Sequence, residues 1–205
     1  MILGVIPARL NSTRFPSKVI FPLKGKPIIE HVYEKALQSK LLNKVIVAVD
    51  SEETRNVINC QNIIMTSDKH QSGTDRVAEV ANNFNCDIIV NIQGDEPGID
   101  PLLIDKLIQL FEDPDVKMAS IASTDLKEDD LNNDNVVKVN LDKENNAISF
   151  IRNNLNPEST YYRHIGIYAY RKNTLNLFTS LTQSDNEKNH RLEQLRALDN
   201  NIAIK

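Results

Sequence analysis

The stretch Asp87-Ile88-Ile89-Val90-Asn91-Ile92-Gln93-Gly94-Asp95-Glu96-Pro97 decides the fold. Its apolar residues run almost without interruption, the mark of a strand covered on both faces rather than one. The run stops on a glycine, two acids and a proline, a turn that leaves carboxylates at the strand's end. Two earlier runs read the same way: Ile2–Ile6, followed by a loop from Pro7, and Lys44–Val49, closed by Asp50. Between them, Ile28, Ile29, Val32, Tyr33, Ala36 and Leu37 recur at helical spacing, with Pro27 suited to the first helical position. Ser51–Asn59 reads as a short helix and Asn62–Met65 as a short strand. Val77, Val80, Ala81 and Phe84 mark a third helix, and Leu102 to Phe111 a fourth. Strands alternating with helices predict an α/β fold with a parallel sheet sandwiched between helices. After the strand Lys117–Ser123 the pattern changes. Val136–Leu141, Ala147–Arg152 and Ile165–Arg171 read as strands separated by Asn- and Asp-rich turns, which predicts an antiparallel extension. Leu192, Leu195 and Leu198 mark a late helix, and Ile202–Lys205 reads as a final strand.

The 205 residues predict one domain spanning 1–205. With 40% hydrophobic and 25% charged residues the chain is neither disordered nor fibrous. A formal charge of −4 excludes a nucleic-acid binder that works by bulk charge. Cys60 and Cys86 are too few for a disulfide scaffold and lack metal spacing, so both are expected as small hydrophobes in a reducing compartment. There is no basic leader and no apolar run near the roughly 20 residues of a membrane span, so a cytoplasmic location without membrane insertion is expected. The charge is unevenly placed. No acid precedes Glu30, whereas Arg9, Arg14, Lys18, Lys24 and Lys26 all do. A concentrated positive potential of this kind recruits anions such as phosphates.

In open α/β sheets ligands bind beyond the carboxyl ends of the strands. Three polar segments fall at such ends. Residues 7–18 bring Arg9, Arg14 and Lys18 into one loop, guanidinium forks and a point charge suited to phosphate oxygens. Neither the Walker A pattern nor a dinucleotide glycine fingerprint is present. Gln93–Pro97 offers Asp95 and Glu96, hard oxygen donors of the type Mg²⁺ takes together with substrate phosphates. Asp68–Arg76 offers small and amide groups before a helix, able to meet a base edge, or a plain helix cap on Ser72 or Thr74.

Five ordered motifs carry a resemblance. Ile6–Lys18 matches Ile-Pro-Ala-Arg-x-x-Ser-Thr-Arg-x-Pro-x-Lys, His70–Arg76 matches His-Gln-Ser-Gly-Thr-Asp/Glu-Arg, and Val90–Pro97 matches Val-Asn-x-Gln-Gly-Asp-Glu-Pro. His164–Arg171 matches His-x-Gly-Ile-Tyr-x-Tyr-Arg, and Leu192–Arg196 matches Leu-Glu-Gln-Leu-Arg. The chain thus resembles the 3-deoxy-manno-octulosonate (KDO) cytidylyltransferases of bacterial lipopolysaccharide biosynthesis. The resemblance implies a nucleotidyltransferase-type three-layer αβα fold with a mixed, mainly parallel sheet and a smaller antiparallel extension. It implies cytidylyl transfer from CTP to the sugar acid, with Mg²⁺ as cofactor and pyrophosphate as product. Arg9, Arg14 and Lys18 would hold the triphosphate, with Arg14, Lys18 and Asp95 as the catalytic groups. Gly73, Arg76 and Gln93 would surround the cytidine, and Asp95 would ligate the metal. His164, Tyr168, Gln194 and Arg152 would shape the sugar pocket. Tyr168 and Tyr170 share one strand face, so one is expected in the pocket and the other in packing. A homodimer built partly from residues 136–180 is also implied, and no nucleic-acid partner.

The sequence departs from the family's pattern twice. The usual Ser-Arg-x-Pro-Ile-Pro is replaced around Ile151–Pro157, where Arg152 survives without its neighbours, which leaves an amino-modified KDO open as substrate. The family's Gly-Val-Asp-Thr-Pro-Glu-Asp-Leu segment, whose Asp is a second metal ligand by the resemblance, has no counterpart, so weakened catalysis is expected. A cytidylyltransferase for sialic or pseudaminic acid, and a nucleotide-binding relative of reduced activity, are the competing readings. An ordinary sugar-1-phosphate nucleotidyltransferase fits less well, because its Gly-rich loop is replaced here by Leu10 and Asn11.

Overall fold

β1 (Ile2–Ala8) occupies the middle of the sheet, and every residue of it after Ile2 is buried. The computed structural model describes residues 1–9 and 17–205. A small hairpin of β2 (Pro22–Leu23) and β3 (Lys26–Pro27) leads into α1 (Ile28–Ala36), with Pro27 as the residue capping the helix rather than its first turn. Then come β4 (Lys44–Val49), α2 (Glu52–Val57), β5 (Ile63–Met65), α3 (Gly73–Asn82), β6 (Ile88–Asn91) and α4 (Pro101–Gln109). The second half holds β7 (Met118–Ser123), α5 (Glu128–Leu131), β8 (Lys138–Leu141), β9 (Ala147–Ile151), β10 (Tyr161–Arg171), α6 (Lys172–Ser180), α7 (Asp185–His190) and α8 (Leu195–Asp199).

Eight of the described strands form one sheet in the order β5-β4-β1-β6-β10-β8-β9, with β7 paired to β10 off this path, and β2 and β3 form a separate two-stranded sheet. β5, β4, β1 and β6 are parallel, and β10 turns antiparallel against β6, β7 and β8. Period-2 alternation sorts the core into two layers. Leu3 and Val5 of β1 and Ile46 and Ala48 of β4 pack with Val77 and Val80 of α3 and Phe178 of α6. Ile6, Ala8, Val45 and Val47 face the other way, onto Ile29 and Val32 of α1 and Ile104 and Leu107 of α4. Helices on both faces of a mixed sheet make the three-layer αβα fold expected from the sequence.

Several elements differ from the sequence reading. β1 continues through Pro7, a residue unusual in a central strand. Its ladder with β6 ends at Val5, whose carbonyl accepts from Ile92 N at 2.9 Å, so the missing N–H of Pro7 breaks no pairing. β10 begins at Tyr161 rather than Ile165, because its first residues pair with β8. The segment Ile202–Lys205 makes one bridge, Ile204 to Met118, instead of a full strand. α6 and α7 carried too few apolar residues to show a period: α6 buries only Leu175 and Phe178, and α7 only Glu187. That glutamate takes Arg196 of α8 in a bidentate pair, Nε to Oε2 at 2.8 Å and Nη2 to Oε1 at 2.6 Å, which locks α7 onto α8 by buried charge.

Candidate active site

β1 and β6 lie side by side, and β4 and β10 flank them from opposite sides. The chain leaves β1 toward β4 and later returns to β6, so a crevice opens where the connections diverge. The loops after β1 and β6 and the N-terminus of α3 surround a cleft of about 270 Å³ at this point. Arg9, Lys18, Gly73 and Gln93, which the resemblance assigns to the nucleotide, and Asp95, which it assigns to the metal, all line it. Arg14 falls outside the described residues.

Close packing places these groups. A Cβ on Gly94 would stand 2.9 Å from the carbonyl oxygen of Pro7, so only glycine lets the loop after β6 lie against the end of β1. Asp95 Oδ2 thereby reaches Lys18 Nζ at 2.9 Å, with both side chains a little over two-fifths exposed. Arg9 Nη1 donates to the Gln71 carbonyl at 3.0 Å, which ties the β1 loop to the loop before α3. Ser72 caps α3 through its side chain and forms a capping box with Asp75, the cap reading of this segment. Gly73 and Thr74 of the first turn remain on the cleft wall, so cap and cleft coincide.

Arg76 is placed differently from the other predicted nucleotide residues. It is buried to 1% exposure. Its guanidinium donates to Asp50 Oδ2 and to the Ser67 carbonyl, each at 3.1 Å, and to the Thr66 hydroxyl. It lines a neighbouring cavity with Arg9 and Gln71, behind the cleft rather than on it. Here it braces the loop before α3 against the ends of β4 and β5.

A second cavity of about 350 Å³ adjoins the cleft, and Gln93 and Glu193 line both. Arg152, His164, Tyr168 and Gln194, the set the resemblance assigns to the sugar, line this second cavity together. Tyr168 sits on its wall, whereas Tyr170, at 1% exposure, packs between Tyr168 and Phe178 in the core. His164 is held by its neighbours: Nε2 lies 2.8 Å from Ser120 Oγ, and the ring packs edge-on to Phe150 at 4.9 Å. Burial lowers its pKa to about 4, so at neutral pH it is an uncharged hydrogen-bonding group and not a cation. The cations of this cavity are Arg152, Arg163 and Arg191. Arg152 Nη1 donates to the Asp134 carbonyl at 2.8 Å, and Arg163 Nη1 pairs with Asp130 Oδ2 at 3.3 Å. Arg191 closes α7 in the left-handed region, at φ 53°.

Arg163, Arg191, Thr74 and Glu193 are the site residues the sequence reading missed. Lone basic residues carry no local signal. Glu193, however, stood inside the matched Leu-Glu-Gln-Leu-Arg motif, an acid flanked by apolar neighbours. Thr74 Oγ1 donates to Glu193 Oε2 at 2.7 Å, and burial raises the pKa of this carboxyl. Among the described residues no group of three or more His, Cys, Asp or Glu side chains is arranged to hold a metal. Asp95, half exposed on a cleft lined with cations for phosphate, has the donor chemistry of a magnesium ligand that shares the ion with its nucleotide.

Comparison with known proteins agrees with this architecture. The sequence pattern of the Cytidylyltransferase family matches residues 3–204. The 3-deoxy-manno-octulosonate cytidylyltransferase of Pelobacter propionicus is 40% identical over 223 residues, covering 100% of this chain and 88% of the relative. That of Thermodesulfovibrio yellowstonii is 41% identical over 222 residues, covering 98% of this chain and 87% of the relative. Among solved structures, CMP:2-keto-3-deoxy-manno-octonic acid synthetase complexed with CTP superposes with a TM-score of 0.92 at 36% identity, over 100% of this chain and 88% of that one. Fold, ordered motifs and full-length similarity lead to one conclusion: this chain belongs to the cytidylyltransferase family, in its 3-deoxy-manno-octulosonate branch.

Proposed function

We propose that the chain transfers the cytidylyl group of CTP to the anomeric C2 hydroxyl of KDO, giving CMP-KDO and pyrophosphate. The observation that carries the reading is a pair of joined cavities, one with the charges for a triphosphate and one lined by three arginines. A sugar acid presents a carboxylate that arginine forks recognise. The names of the similar proteins support the same substrates.

The residues divide the work by place. Arg9 and Lys18 bind the triphosphate, and Lys18 moves from Asp95 to a phosphate oxygen as negative charge leaves with pyrophosphate. Arg14 is assigned the same task by its place in the motif. Gly73 and Gln93 hold the nucleoside, and Arg76 supports them from behind. Asp95 would hold Mg²⁺, which when bound supplies charge neutralisation of the triphosphate. Arg152 takes the sugar carboxylate, and His164, Tyr168 and Gln194 orient the ring. Such transfer needs positioning and electrostatics and no protein nucleophile. The product feeds lipopolysaccharide synthesis, and the enzyme works in the cytoplasm as a homodimer. No helix among the described residues is long and apolar enough to cross a membrane.

The test is pyrophosphate release from CTP, KDO and Mg²⁺, with Asp95→Asn as control. Release that falls about a hundredfold or more in the variant is expected. Release with sialic or pseudaminic acid but not KDO would move the assignment to another sugar. CTP binding without release would mean a relative of reduced activity.

A further inference from the structure

Of the two described carboxylates on the cavities, Asp95 and Glu193, only Glu193 has no place in this scheme. Gln93 and Glu193 are the only described residues that line both cavities, so they mark the junction where sugar and nucleotide must meet. An amide cannot take a proton; a carboxylate can. Oε2 of Glu193 is occupied by the Thr74 hydroxyl at 2.7 Å. Oε1 is buried and accepts no hydrogen bond from any described residue. Its nearest cation, Arg196 Nη2, stands 3.7 Å away and is already committed to Glu187. The carboxylate therefore keeps acceptor capacity beyond its bond to Thr74.

The other candidate acceptors at the site are engaged. Asp95 is paired with Lys18. His164 Nε2 faces Ser120 Oγ, and its burial makes the ring a weak base. Tyr168 and Tyr170 are kept protonated by burial. We propose that the Glu193 carboxylate is the general base of the transfer, accepting the proton of the sugar's anomeric hydroxyl where the two cavities join. This rests on the cytidylyl-transfer reading above.

The step balances. The C2 hydroxyl gives its proton to the Glu193 carboxylate while the oxygen's electron pair forms the bond to the α-phosphorus of CTP. The bond from that phosphorus to the bridging oxygen breaks, and its pair leaves with pyrophosphate. Glu193 then releases the proton to solvent as product departs. Thr74 fixes the carboxylate through Oε2, so Glu193 is held at the junction without a rotamer search.

The groups around Glu193 set its titration. Burial and Asp75 of α3 raise its pKa, while the Ser72 and Thr74 hydroxyls and Arg196 of α8 oppose them. Tyr168 and Tyr170 of β10 face it uncharged. On the cleft and cavity walls around it stand Arg9, Lys18 and Asp95 on one side and Arg152, Arg163, His164 and Arg191 on the other.

The test compares the wild type with Glu193→Gln, which keeps the size and the Thr74 contact. CTP affinity measured by calorimetry is expected to match the wild type, while kcat falls about a hundredfold or more. The acid limb of kcat/KM for the sugar, followed from about pH 5 to about pH 8, is expected in the wild type and absent from the variant. Unchanged kcat, or a raised KM for the sugar with kcat intact, overturns the proposal in favour of no role or simple binding. Should Glu193→Gln lose CTP binding, the wild-type profile decides: an acid limb that persists with Asp95→Glu supports the base, and a flat profile overturns it. A wild type inactive with CTP and KDO removes the underlying transferase reading and the base with it. An active wild type with an unaffected variant removes the base alone.

Discussion

His164 shows how burial sets the chemistry of one residue. Its pKa is about 4 in the folded chain against an ordinary 6.5, so the unfolded chain binds the extra proton first as pH falls. Stability from this group is complete above about pH 6.5, declines below it, and is gone below about pH 4. The loss is on the order of 3 kcal/mol. Urea unfolding at about pH 7 and about pH 4.5 is expected to show a smaller acid loss for His164→Asn than for the wild type; equal losses would mean the ring protonates freely in the native state. The sequence exposed Arg9, Lys18 and Asp95 because charges beside a strand end have few structural uses. It did not expose Glu193, whose meaning comes from burial and from Thr74, 119 positions away in the chain. Nor did it separate Arg76 from the cleft, since its engagement with Asp50 and Thr66 depends on how β4 and β5 end.

Among the elements, the contact between β1 and the loop after β6 governs the site. Alanine at Gly94 would press its Cβ against the Pro7 carbonyl, a backbone atom that cannot swing aside. Gly94→Ala is expected to cost about 1–3 kcal/mol and to slow pyrophosphate release by moving Asp95 away from Lys18. Gly98→Ala serves as control, because its nearest neighbour would be Glu96 Oε1 at 3.9 Å. Thermal melting and turnover read the two effects; a wild-type melting temperature in Gly94→Ala would refute the close-packing argument. The strands β1, β4 and β6 were legible because each is a nearly unbroken apolar run. α7 was not, because it is held by the Glu187–Arg196 pair instead of an apolar stripe. The end of β1 was misplaced because proline usually stops a strand, and only the short β6 ladder reveals why Pro7 is tolerated.

At the scale of the whole molecule, the sheet ends at β5 on one side and β9 on the other. β9 is joined to β8, and apart from the Ala147 contact with Ile204 no described strand pairs along its far side. Ile148 on it is 58% exposed. An uncovered edge strand of this kind invites pairing with another chain, which suits the homodimer proposed through residues 136–180. Light scattering is expected to give twice the monomer mass, and Ile148→Lys to shift it toward the monomer; an unaffected dimer would place the interface elsewhere. The αβα layering could be read from the sequence, since alternation and helical spacing are local. The joining of two cavities through Gln93 and Glu193 could not, since it depends on β10 lying against β6. The Lys18–Asp95 bridge has a thermodynamic consequence of its own. It couples the group that suits a metal to the group that suits a phosphate, and being half exposed it is cheap to break. Whichever ligand arrives first frees the partner group for the second. Affinity for each is therefore raised by the other through the same factor, a reciprocity built from a single ion pair.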